Sequence, residues 1–138
     1  MSTLFVKYEE PTIRAFFPPG ERDRFVRLLG KANRRRDGLK ILHHTITFDP
    51  KWSRPIEGNA DIAGLLRSKG AGTRGYLIGT SCDGQILPLD EAVAALEHAS
   101  GILVCTPGLL AVYSGVHGEG RRILERGTLL RSDEEERS

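Results

Sequence analysis

The stretch GILVCTPGLLAVYSG, residues 101–115, decides how this chain is read. Two apolar runs meet at Pro107-Gly108, a pair that suits a tight reversal, so the stretch predicts a β-hairpin. A strand with one wet face alternates apolar and polar residues. Here Leu109, Leu110, Val112 and Tyr113 place apolar side chains on both faces. Either the chain covers both faces itself, or one face packs on a protein partner or a second copy. These four residues are therefore the candidate protein-interaction surface, by partner binding or self-association.

Working outward, the glycine-rich turn GVHGEG leads to RRILER, residues 121–126, a third antiparallel strand that closes a C-terminal β-meander. The tail 127–138 ends RSDEEERS and is too polar to add to a core, so it is expected to be disordered. Upstream, residues 88–99 predict a helix. Pro88 suits its first position, Asp90 and Glu91 its first turn, and Leu89, Val93 and Leu96 form one stripe. RGYLIGTS, residues 74–81, predicts a strand, and Cys82-Asp83-Gly84 turns out of it. Asn59 is placed as N-cap of a short helix from Ala60 to Lys69.

The first half is read by the same rules. Residues 3–8 and 12–17 predict strands, the second ended by Pro18-Pro19. From Gly20 to about Arg35, Phe25, Leu28, Leu29 and Ala32 recur at helical spacing, and Asp37-Gly38 supplies a stop. Leu39 to Asp49 predicts a strand, with His44 among Leu42, Ile46 and Phe48 on one face and His43 beside Thr45, Thr47 and Asp49 on the other. Residues 50–58 are read as an irregular connection. The chain is then α+β: one mainly antiparallel sheet with about three helices packed on it, in a single domain over 1–126.

The 138 residues are 39% hydrophobic, enough for one core. Cys82 and Cys105 make no disulfide framework, and the N-terminus lacks the apolar run of a signal peptide. No stretch reaches the length of a membrane span. A cytoplasmic chain with reduced thiols is expected, without a membrane or a cofactor. Charge is uneven: residues 1–54 carry 12 Lys/Arg against 6 Asp/Glu, and residues 55–138 carry 8 against 12.

That imbalance locates the first candidate for chemistry. Arg24, Arg27, Lys31, Arg34, Arg35 and Arg36 recur along one flank of the predicted helix, a pattern that can neutralise successive phosphates of a polyanion such as nucleic acid. No aromatic residue is interleaved with them, so base stacking has no platform. The histidine pair is divided by the predicted strand between opposite faces, which excludes shared metal ligation and leaves His43 as the catalytic candidate. Cys82, in a turn, is the candidate thiol nucleophile, needing a base such as His43, His98 or His117. Cys105 reads as a buried small hydrophobe. The His and Cys spacings match no metal motif. KGAGTRG follows a helix and precedes a strand, the reverse of a phosphate loop. The sequence therefore predicts a non-catalytic binding or regulatory module working by protein–protein contact. A nucleic-acid-associated protein and a small Cys/His enzyme stand behind that reading.

Overall fold

The structure is a computed structural model that describes residues 3–45, 48–57, 60–97, 99–115 and 120–126. Its centre is a six-stranded sheet of order β1-β6-β5-β4-β2-β3. The strands are β1 (Ser53–Pro55), β2 (Arg74–Ile78), β3 (Ile86–Pro88), β4 (Gly101–Thr106), β5 (Leu110–Ser114) and β6 (Arg122–Glu125). Every pairing is antiparallel. The hairpin and the third strand of the meander form as predicted, with Val112 opposite Leu103 on one side and Ile123 on the other.

The doubly apolar strands are explained by helices on both faces. Side chains alternate between two separate cores, as the period of two requires. Tyr76, Ile78, Ile102, Val104, Ala111, Tyr113 and Leu124 join the first core with the N-terminal helices. Leu77, Leu103, Leu110, Val112 and Ile123 join the second, against α4 (Ile62–Ser68) and α5 (Leu89–Glu97). Leu110, Val112 and Tyr113 are thus buried within the chain, and of the four hairpin candidates only Leu109 is exposed.

The N-terminal half differs from its predicted form. The described residues contain five α-helices rather than about three. Residues 3–8 and 12–17 are not strands. They form a π-helical segment, Phe5–Glu9, running into α1 (Glu10–Phe16). Phe5, Glu9, Thr12, Ile13 and Phe16 are buried, which is helical spacing. The stripe is concealed in the sequence because two of its members are polar. Thr12 Oγ1 donates to the Tyr8 carbonyl at 2.8 Å, and Glu9 is paired as described below.

The predicted helix 20–35 ends earlier, as α2 (Arg22–Gly30), and residues 39–45 of the predicted strand 39–49 belong instead to α3 (Arg35–Thr45), while 46 and 47 lie outside the described residues. Gly38 is not a stop. A Cβ there would lie 3.0 Å from Leu28 Cβ and 2.9 Å from Leu29 Cδ2, so the glycine allows α2 and α3 to approach closely. Gly38 and Leu42 are buried on the packed side of α3, and Tyr113 Oη donates to the Leu42 carbonyl at 3.1 Å. Residues 50–58 are not wholly irregular, since β1 pairs with β6. The cap of α4 is Asp61, whose Oδ1 accepts from Gly64 N at 3.1 Å, while Asn59 lies outside the described residues. So does the tail 127–138. Among the described residues no helix is long and apolar enough to cross a membrane.

Candidate functional site

The turn between α2 and α3, residues 31–34, has two sides, and a cavity lies against each. On the outer side is an open cleft of about 650 Å³ lined by Arg24, Arg27, Leu28, Lys31, Asn33, Arg34, Asp37 and Ile41. Arg24, Arg27 and Lys31 come from the exposed flank of α2 and the residue after it, at steps of three and four. Arg34 approaches from the start of α3. Leu28 and Ile41 form the apolar floor, and Asp37 is the single acidic member. Arg24 pairs with Glu21 at 3.3 Å, while among the described residues no ion-pair partner is found for Arg27, Lys31 or Arg34. Four cations against one carboxylate make a positive field at a concave surface.

The predicted basic set is therefore divided. Four of its six members meet in the cleft. Arg36 is exposed outside the lining. Arg35 points the other way, into a second cavity of about 500 Å³ that includes Leu4, Phe5, Glu9, Leu29, Tyr76 and Asp83. There the guanidinium makes five hydrogen bonds. Nη1 donates to Glu9 Oε1 at 2.8 Å and to the Leu29 carbonyl at 3.0 Å. Nη2 donates to Glu9 Oε2 at 2.8 Å and Asp83 Oδ1 at 2.7 Å, and Nε to Asp83 Oδ2 at 2.8 Å. An arginine has five N–H groups, so every donor is used.

Glu9 is buried, accepts a hydrogen bond from Tyr76 Oη, and sits where Tyr8 stacks on Tyr76 with ring centres 4.8 Å apart. Asp83 is held in turn by Gly79 N at 2.7 Å. Burial opposes the charge on Arg35, but the hydrogen bonds of Asp83 and Glu9 outweigh it and its pKa is raised. Burial, then the bond to Glu9, also raises Tyr76. Taking away one member of such a buried pair costs about 3–5 kcal/mol, because the other charge is left uncompensated.

Glu9, Tyr76 and Asp83 are far apart in the chain, and no sequence motif joins them. The available signal was Glu9 itself, an acidic residue at a helical step from Phe5, Thr12 and Ile13.

The remaining candidates fall elsewhere. His43 and His44 are described as helix backbone only. Their division between opposite strand faces does not apply, since neighbouring helix positions lie about 100° apart. Cys82 follows β2 in a turn, with its N–H donating to Thr80 Oγ1 at 3.0 Å. It packs against the second core, and neither cavity is lined by it. His98 and His117 lie outside the described residues. Cys105 is partly buried, and burial pushes its thiol up to about 12. Among the described residues no cluster of His, Cys, Asp or Glu could hold a metal ion.

A second buried carboxylate, Glu125, pairs with Lys69 at 3.1 Å, joining the residue after α4 to the end of β6. Comparison of the chain with protein-family models, curated proteins and solved structures finds no match.

Proposed function

We propose that this chain is a non-catalytic binding module that holds the phosphate backbone of a nucleic acid in the cleft between α2 and α3. The observation that carries the reading is the convergence of Arg24, Arg27, Lys31 and Arg34 on one concave surface with a single carboxylate among them. The cations form a row rather than a point. From residue 24 to residue 31 a helical path rises about 10 Å, longer than one phosphate and suited to several in series. Three of the four are arginines, whose planar forks match phosphate oxygens. No aromatic residue lines the cleft, so contact is with the backbone and independent of base sequence. Protein contact through the hairpin has less to stand on, because Leu110, Val112 and Tyr113 are covered by the chain's own helices.

The test is binding of a labelled single-stranded oligonucleotide across a salt series. Up to four phosphate contacts give a log–log salt slope of about −3, so a fourfold rise in salt weakens binding by about 50-fold. Reversing charge at Arg27, Lys31 and Arg34 together should abolish binding, whereas reversal at Arg67, exposed on α4, should not. Binding that survives the triple change, or equal binding to polyglutamate, overturns the reading.

A further inference from the structure

The two cavities share one wall. Between the end of α2 at Gly30 and the start of α3 at Arg35, the chain alternates its sides: Lys31, Asn33 and Arg34 line the basic cleft, while Gly30 and Ala32 line the inner cavity. Arg35 fastens the inner side. One of its bonds goes to the Leu29 carbonyl, in the last turn of α2, where helix carbonyls lack a helical donor. The others reach Glu9 on the π-helical segment and Asp83 in the turn after β2. One side chain thus ties the α2 end to two other parts of the fold.

We infer that Arg35 is a positioning residue for the cleft: its clamp by Glu9 and Asp83 fixes the 31–34 turn, and with it Lys31 and Arg34, in the arrangement that meets an anionic chain. This rests on the reading of the cleft given above. The clamp has the form such a role requires. A lysine could supply the charge but not the fork that bridges two carboxylates and a carbonyl at once. The clamp residues take no part in the cleft lining, so their effect on ligand passes through geometry alone. If loosening leaves the competent turn populated about a tenth of the time, apparent affinity falls about tenfold.

The experiment compares Asp83→Asn, Glu9→Gln and Arg35→Lys with the unaltered protein, using the same oligonucleotide and amide hydrogen exchange. Leu66→Ala, in the second core on the other sheet face, is the control for general loss of stability. Asp83 is 28% exposed, so Asp83→Asn keeps the test open if Glu9→Gln does not fold.

The expected result is faster exchange at residues 31–34 in all three clamp variants. It is accompanied by weaker binding and by a salt slope reduced by about 0.7 for each phosphate that the cleft no longer holds. Leu66→Ala lowers the melting temperature and moves neither readout. Unchanged exchange at 31–34 in folded variants overturns the inference. So does faster exchange with unchanged affinity and slope, or an Arg35→Lys variant that matches the unaltered protein. If the unaltered protein binds no oligonucleotide at low salt while exchange still rises in the variants, the nucleic-acid reading fails and the clamp on the turn is upheld.

Discussion

Individual side chains in this fold hold their ionisable groups neutral or paired, and that makes stability depend on pH in a definite direction. Cys105 is raised by burial from near 9 to about 12, and Tyr76 is raised above its ordinary value of 10 by burial and by its bond to Glu9. Both groups favour the neutral form more when folded than when unfolded. Their contribution is complete below the unfolded pKa and is lost as pH rises past it, starting near 9 for the thiol and near 10 for the phenol. Each group then costs up to about 1.4 kcal/mol per pH unit until its folded form ionises. Urea unfolding at pH 8, 9.5 and 10.5 should show a falling midpoint. Cys105→Ala should remove the earlier part of the fall, and Tyr76→Phe should lessen the later part, to which Tyr113, also raised by burial, contributes. A midpoint flat to pH 10.5 would contradict this account.

At the scale of elements, how much was legible depended on what each buried face is made of. From residue 60 onward the buried faces are mainly apolar, with Ser114 and Glu125 buried only at the ends of their strands, so the hairpin, β6, α4 and α5 could be read from spacing alone. The first half buries Glu9, Thr12 and Gly38 and turns Arg35 inward. A pattern of apolar residues skips these positions, and what is left in 3–17 and 39–49 imitates strands. The cleft was legible as a set of basic residues on one flank. Its geometry was not, because Arg34 and Arg35 are adjacent in sequence and serve opposite sides of one turn.

Gly38 tests the same point. In an exposed helix, Gly→Ala gains about 1 kcal/mol from propensity. Here the new methyl would meet Leu28 Cβ at 3.0 Å, a contact on the backbone side of α2 that cannot swing away. Overpacking of that kind costs about 1–3 kcal/mol, so Gly38→Ala should lower stability by about 1 kcal/mol net in thermal or urea unfolding. A rise in stability would show that α2 and α3 separate without cost.

The whole molecule is a sheet with a core on each side, and the alternation of the strands keeps the two cores apart. Ile102 and Val104 point into one and Leu103 into the other, and β2, β5 and β6 repeat the division. The sheet belongs to both cores, so the molecule should unfold in one transition. Side chains on opposite faces should nonetheless contribute independently, since they share no partner across the sheet. Within one core the expectation reverses. Phe17 and Phe48 meet edge to face with ring centres 5.5 Å apart, a contact that contributes about 0.5–1.5 kcal/mol beyond area burial. Two double-mutant cycles separate these cases. Phe17→Leu combined with Leu66→Ala, one in each core, should be additive to within about 0.5 kcal/mol. Phe17→Leu combined with Phe48→Leu should show a coupling above that limit, because the first replacement already removes the ring that the second would lose. Strong coupling across the sheet, or none between the two phenylalanines, would mean that the cores are not divided along the strand alternation.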